Sequence, residues 1–404
     1  MNREKLLIIF ISIFFAVDFI RELLGFIHPN FINIISIFIG LVSLLLIKKI
    51  TVNHKLIFLY ISIVIFLTIS LFNGIYKGFI DYQTIFYTFY KILELTIVII
   101  IASNMSKRKL LLFYSKFTKL FYIIHTPLFL YYLLVLIGVL TYHNRIIVFD
   151  LVRFAGLSGE PAQYGQMSLI VLFMLITLKQ NLNIKNIKSK TIIFLIFVLT
   201  SLSNAFFLSI IVFMIYYYNK QRISIIKLVF QYILAISVII ILFSINERLD
   251  IDLEQLSFII NNFRNLPHIS VDGVGINSIT TRFYEVLKSL SMTTNIIGHG
   301  LGSSLNYPIF SGELEVGQRI NFYGISQVGY ELGLLPMVLF ITWFIKQIFY
   351  LKISLFNKSS LFTIFFVMLA VNGIAFKLYW FILFILIINT IGSNYENTTN
   401  KYSV

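Results

Sequence analysis

The chain has 404 residues, 58% of them hydrophobic and 12% charged, whereas soluble domains run roughly 45–50% apolar and 25% charged. Too little polar side chain is present to coat a water-facing surface of this size, disordered and collagen-like chains are excluded on the same grounds, and the absence of cysteine removes disulfides, thiolate catalysis and Cys-ligated metals. What remains is an all-α polytopic integral membrane protein, and the net charge of +15 reads as a topology signal rather than as affinity for nucleic acid, because the cations alternate along the chain.

Taken in chain order, apolar stretches of membrane-crossing length or slightly less predict spans at 6–27, 31–47, 56–73, 84–102, 120–140, 160–178, 191–201, 203–218, 226–245, 321–345, 360–372 and 376–391. That is about twelve transmembrane helices in one membrane domain, 1–404. The first stretch has the basic start and apolar run of a signal peptide, but Asp18, Arg21 and Glu22 stand where a cleavage site belongs, so it reads as a retained helix. Alternate connections hold Arg3 and Lys5, then Lys48, Lys49 and Lys55, then Lys107, Arg108, Lys109, Lys116 and Lys119, with further lysines near 179–190, 220–227 and 346–358. By the positive-inside rule these face the cytoplasm, and both termini with them. Residues 191–218 form one apolar run whose middle carries Thr200, Ser201, Ser203 and Asn204. A hairpin of two short helices is expected, since a single span would put the basic residues before and after it on opposite sides. The run 360–391 is expected to break in the same way at Asn372-Gly373.

Two connections fall on the extracytoplasmic side and are long enough to carry function: 141–160 and, larger, 246–320, about 75 residues between spans. The shorter one ends in Arg153-Phe154-Ala155-Gly156-Leu157-Ser158-Gly159-Glu160-Pro161. Pro161 suits a first helical turn. Arg153 and Glu160 read either as an interfacial anchor and a dipole-complementing acid, or as a bidentate phosphate donor and a carboxylate whose pKa burial would raise toward general-base range. In the large loop an amphipathic helix is expected at 253–265 and a second helix at 278–292, with Arg282 in the first turn of the latter, where the helix dipole disfavours a cation. Gly298-His299-Gly300-Leu301-Gly302 follows. The glycines allow a tight turn that exposes backbone N–H groups to an anion, and His299 has little packing to explain it. Arg319 precedes Gly329-Tyr330-Glu331-Leu332-Gly333, which sets Glu331 inside an apolar span, where an acid is a functional candidate unless it pairs with Arg319 or another polar group.

The combination of RFAGLSGEP at a span entrance, RFYEVL, IIGHGLGSS and GYELGLLP in the next span resembles the O-antigen and capsule repeat-unit polymerases (Wzy-type), which share a superfamily with O-antigen ligases. The resemblance covers about 145 to 345; the first four spans match in hydropathy only. It implies a glycosyltransferase of the bacterial cytoplasmic (inner) membrane that uses undecaprenyl-diphosphate-linked oligosaccharide as donor and acceptor on the outer face. A chain-length regulator protein and membrane lipid would be its partners, and neither cofactor nor nucleic acid would be involved. Ligases carry a His-Asn pair before the E-x-G motif; this chain has Asn321-Phe322-Tyr323-Gly324, which favours polymerase.

Cleaving a sugar–diphosphate bond needs positive charge on the leaving group and a base for the acceptor hydroxyl. With no metal-ligand cluster in the sequence, Arg153, Arg282 and Arg319 are expected to hold the diphosphate, Glu160 or His299 to act as base, and Gly300, Gly302, Tyr330 and Glu331 to support the site. A ligase-like glycosyltransferase and a lipid-linked-oligosaccharide flippase or transporter are the alternatives. The latter would use Asp18, Arg21, Glu22, Lys91, Glu94 and Lys377 as a polar pathway inside the spans, although these can equally pair with each other, as the i,i+3 spacing of Lys91 and Glu94 suggests.

Overall fold

Where backbone groups cannot reach water, a run of Ile, Leu and Phe satisfies its N–H and C=O groups by winding into a helix, and helices dominate this chain. The structure is a computed structural model that describes residues 3–20, 29–78, 82–136, 147–148, 153–154, 161–181, 187–200, 209–211, 213–214, 295–300, 325–350, 355–370 and 377–399. Its helices are α1 (Arg3–Ile20), α2 (Pro29–Leu45), α3 (His54–Tyr76), α4 (Tyr82–Ser103), α5 (Lys107–Leu136), α6 (Pro161–Asn181), α7 (Ile187–Thr200), α8 (Ile325–Leu332), α9 (Leu334–Tyr350), α10 (Leu355–Ala370) and α11 (Lys377–Thr399). Between α5 and α6 a two-residue antiparallel pair, β1 (Ile147–Val148) and β2 (Arg153–Phe154), sets Val148 opposite Arg153. Short β-branched and aromatic stretches favour such pairing, a local departure from an all-α reading.

The core is aromatic. Phe15 of α1, Phe113 of α5 and Phe381 of α11 meet with ring centroids 4.7–5.7 Å apart, and on the other side of α11 the Phe344 ring of α9 stacks on Phe365 of α10 at 3.9 Å. Around this core α1 packs on α2, α5 and α11, and α11 packs on α4. One end of the bundle is clasped by polar contacts. Arg3 donates to the carbonyls of Leu45 and Leu46 at 3.1 Å, closing the C-terminus of α2, and Asn104 at the end of α4 exchanges hydrogen bonds with Thr51. Arg3, Lys48, Lys49 and the start of α5 therefore share that end.

Among the described residues two helices, Leu56–Tyr76 and Lys107–Val135, are long and apolar enough to cross a membrane. The first turns an apolar stripe outward: Phe58 is 71% exposed and Phe72 65%, with Ile61, Ile65 and Ile69 between them also exposed. A stripe of that kind needs a non-aqueous neighbour.

The observed bounds correct the sequence reading in two places. The helix expected at 120–140 begins thirteen residues earlier, at Lys107. Leu110, Phe113, Tyr114, Phe117 and Phe121 recur at helical spacing and are buried, while Lys107, Arg108, Lys116 and Lys119 face outward; the basic cluster therefore rides on an amphipathic stretch of helix rather than on a loop. The span expected at 321–345 is interrupted at Gly333. The proposed hairpin tip at 201–208 and the break at 371–376 lie outside the described residues, although α10 and α11 flank the latter as two separate helices.

Candidate functional site

The break at Gly333 exposes backbone groups that a continuous helix would pair internally, and they are taken up by a segment some thirty residues earlier in the chain. The last carbonyls of α8 accept from the turn: His299 N–H donates to Tyr330 O at 2.9 Å and Gly300 N–H to Glu331 O at 3.1 Å. Reciprocally, the first N–H groups of α9 donate to it, Leu334 to Asn295 O at 3.0 Å and Leu335 to Ile296 O at 3.3 Å. The turn 295–300 thus caps both halves of the broken helix at once. It is also tied to α3, where Ser70 Oγ donates to Glu331 O at 2.8 Å and Asn73 Nδ2 to Gly298 O at 2.9 Å.

This crossing requires glycine. Gly298 and Gly333 have φ of 79° and 111°, a region that other residues enter only under strain. A Cβ on either would also overlap the other's backbone, standing 2.6 Å from Gly333 N in the case of Gly298. Gly300 approaches Gly74 of α3 as closely. Within this frame the His299 ring stacks on Tyr330, centroids 4.5 Å apart and planes 27° apart, and Tyr330 is fully buried. Burial, and then the ammonium of Lys77, hold the His299 imidazole below its ordinary pKa. The ring is accordingly neutral at neutral pH, the form able to accept a proton.

Beneath the turn α3, α4, α8, α9 and α11 enclose a cavity of about 440 Å³, within the usual range of roughly 300–1,000 Å³ for ligand pockets. Phe58, Phe66, Leu67, Phe340 and Trp343 give it mostly apolar walls, and Lys91, Glu94, Glu331 and Lys377 bring charge to it. Glu94 is closed in by three donors: Tyr90 OH at 2.8 Å, Lys91 Nζ at 2.9 Å and Lys377 Nζ at 3.3 Å. Lys377 also donates to Ser36 Oγ at 3.0 Å and stands 4.8 Å from the centre of the Phe14 ring. The cluster joins α4 and α11 through one carboxylate and reaches α2 and α1 through Lys377. Such desolvated charges persist in an apolar bundle only when paired.

Of the candidate site residues, the structure brings together His299, Gly300, Tyr330 and Glu331 in one unit, of which Glu331 lines the cavity. Arg153 is fixed in backbone, on β2 against α7. Glu160, Gly302, Arg282 and Arg319 lie outside the described residues. The i,i+3 pairing of Lys91 with Glu94 is present as an ion pair. Not anticipated were the role of Ser70 and Asn73 in holding the turn and the recruitment of Lys377 to Glu94; the one signal for the latter was three ionisable residues in otherwise apolar spans. The chain matches no family model, no curated protein and no solved structure.

Proposed function

We propose that this chain is a multi-pass protein of the bacterial inner membrane, with about twelve spans and both termini cytoplasmic, that polymerises polysaccharide on the outer face. The growing glycan leaves undecaprenyl diphosphate and joins the nonreducing sugar of a lipid-linked repeat unit. The bond from the anomeric carbon to the diphosphate oxygen breaks, a bond to the acceptor oxygen forms, the acceptor hydroxyl proton passes to a base, and undecaprenyl diphosphate departs. Arg153, Arg282 and Arg319 grip the leaving diphosphate, and His299 or Glu160 takes the proton.

One observation carries this reading. Two of the four segments whose residues bear the resemblance, around His299 and around Glu331, fold as a single backbone-paired unit, and Glu331 lines an apolar cavity that also presents ammonium groups. A site for a phosphorylated lipid needs a basic side chain beside apolar volume; the N–H groups of His299 and Gly300, expected to face an anion, are spent on Tyr330 O and Glu331 O and hold the frame instead. A flippase or transporter for the same lipid-linked oligosaccharide is the second reading, favoured by the Lys91–Glu94–Lys377 cluster inside the bundle.

Deleting the gene in its host and resolving the surface glycan on a gel separates the readings. Single-repeat glycan is expected and supports a polymerase. Intact lipid-carried polymer with none transferred points to a ligase, and loss of all surface glycan with trapped cytoplasmic precursor points to a flippase. Arg282→Lys should abolish most polymerisation, because lysine lacks the bidentate fork; chains of unchanged length in that variant would refute the phosphate-gripping role.

A further inference from the structure

We infer that the end of the bundle where Arg3, the α2–α3 connection and the start of α5 meet is a binding surface for anionic phospholipid headgroups, centred on Lys48 and Lys49 and bordered by Lys107 and Arg108. The surface rests on the membrane reading above and not on the transferase reading. It lies at the opposite end of α3 from the residues that hold the 295–300 turn.

One asparagine brings two distant basic runs side by side. Asn104 Oδ1 accepts from Thr51 N at 3.1 Å and from Thr51 Oγ1 at 2.9 Å, and Asn104 Nδ2 donates to Thr51 O at 2.8 Å. Asn53 N adds a hydrogen bond to Ser103 Oγ at 3.2 Å. The connection after α2 is thereby fixed against the one before α5. Lys49 stands two residues from this joint and Lys107 three, so their Cα atoms lie within about 7 and about 11 Å of it. Lys48, Lys49, Lys107 and Arg108 are all exposed. Arg3 is held at the same end by the carbonyls of Leu45 and Leu46, with Lys5 exposed one turn further on. In the segments 3–5, 45–53 and 103–109 the only acid is Glu4. The cations share this connection with aliphatic side chains that face outward: Leu45, Ile50 and Val52 are 78%, 55% and 38% exposed. Lysines interleaved with exposed aliphatic groups suit the boundary between phosphate and acyl layers, where the aliphatic groups enter hydrocarbon and the ammonium groups stay with the phosphates. A soluble anion would leave Leu45, Ile50 and Val52 in water, and a neutral lipid would leave the cations without a counter-charge. A lipid carrying net negative charge covers both.

The test titrates the purified, delipidated full chain in neutral detergent with phosphatidylglycerol or with phosphatidylcholine of the same acyl chains, and counts bound lipid by native mass spectrometry. The wild type should bind phosphatidylglycerol more tightly than phosphatidylcholine. Lys48→Gln/Lys49→Gln should weaken phosphatidylglycerol by about fivefold or more, at least the share of one cation at an anionic surface, and leave phosphatidylcholine nearly unchanged. Lys48→Arg/Lys49→Arg should keep the wild-type preference, which separates loss of charge from loss of fold. Lys179→Gln/Lys346→Gln removes as many exposed cations elsewhere and should keep it too. Equal affinity for the two lipids, or normal phosphatidylglycerol binding by Lys48→Gln/Lys49→Gln, overturns the surface. An equal loss in Lys179→Gln/Lys346→Gln also overturns it, since net charge alone would then attract the lipid. Glycerol phosphate competing as well as the lipid would assign the cations to a soluble anion, and an oligoglutamate peptide that outcompetes the lipid at Lys48 and Lys49 would assign them to an acidic protein; either result overturns the lipid assignment. A chain washed from membranes by alkaline carbonate would sink the membrane reading and this surface with it, whereas an integral chain with no headgroup preference sinks the surface alone.

Discussion

Replacing Gly333 with alanine tests whether the broken helix and the turn are one unit. At φ 111° an alanine carries left-handed strain of roughly 1–2 kcal/mol. The added methyl also collides with the carbonyl of Ile296 and stands 2.6 Å from Gly298 N, backbone atoms that cannot rotate out of the way. The turn must move off, and its four reciprocal backbone hydrogen bonds to 330–335 go with it, at about 1 kcal/mol each. Gly78 supplies the control: its φ is 74°, yet nothing lies within 4 Å of a Cβ placed there, so Gly78→Ala bears the strain alone. The two variants should differ by about 4 kcal/mol, all of it local to the turn. Hydrogen exchange at the His299 and Gly300 amides reads this directly, and their protection should fall by about a thousandfold in Gly333→Ala while Gly78→Ala leaves it near wild type. Equal protection in the two alanine variants would mean that the crossing is not held by its glycines.

Two further outcomes follow from the buried ionisable groups. His299 is held below its ordinary value of 6.5, so between that lowered value and 6.5 the unfolded chain binds more protons than the folded one, and stability rises with pH through this window. Acidification from about pH 7.5 to about pH 5.5 should therefore lower the thermal midpoint of the wild type more than that of His299→Gln, and an identical pH response in the two would refute the coupling. Glu94→Gln leaves the ammonium groups of Lys91 and Lys377 without their shared carboxylate and should destabilise by about 3–5 kcal/mol. Adding Lys377→Met should recover part of that loss in thermal melts of the detergent-solubilised protein; a single variant as stable as wild type would show that the cluster is not a structural tie.

How much of this was legible in the sequence depended on the range of the interaction involved. Helices were readable because apolar runs and their polar punctuation are local: Pro161 opens α6 at the position its lack of an N–H allows, and the basic stretches mark helix ends at one face of the bundle. The start of α5 differs from the sequence reading because its cations mark a polar face rather than a helix boundary, and the amphipathic repeat of Leu110, Phe113 and Phe117 extends the helix through them. The Gly298–His299–Gly300 and Tyr330–Glu331–Gly333 motifs were each visible as short patterns, since glycine between bulky apolar neighbours is conspicuous. Their union was not, because the hydrogen bonds that make it are backbone to backbone and leave no mark on residue type beyond the glycines that permit close approach.

The Lys91–Glu94–Lys377 cluster shows the same limit from the side of electrostatics. A lysine and a glutamate three residues apart on one helix face announce their pairing by spacing alone, and the pair is there at 2.9 Å. Lys377 lies 283 positions from Glu94, and no local rule relates them; only the energetics do. A lone ammonium at the head of an apolar helix is expensive enough that it must find an acid, and a carboxylate already carrying one lysine accepts a second more readily than an apolar bundle tolerates a bare cation. Sequence therefore told that Lys377 needed a partner without telling which, and the fold chose the acid that borders the cavity. That choice fixes α11 against α4 beside Lys91, so one carboxylate both steadies the bundle and holds two ammonium groups at the wall of the cavity.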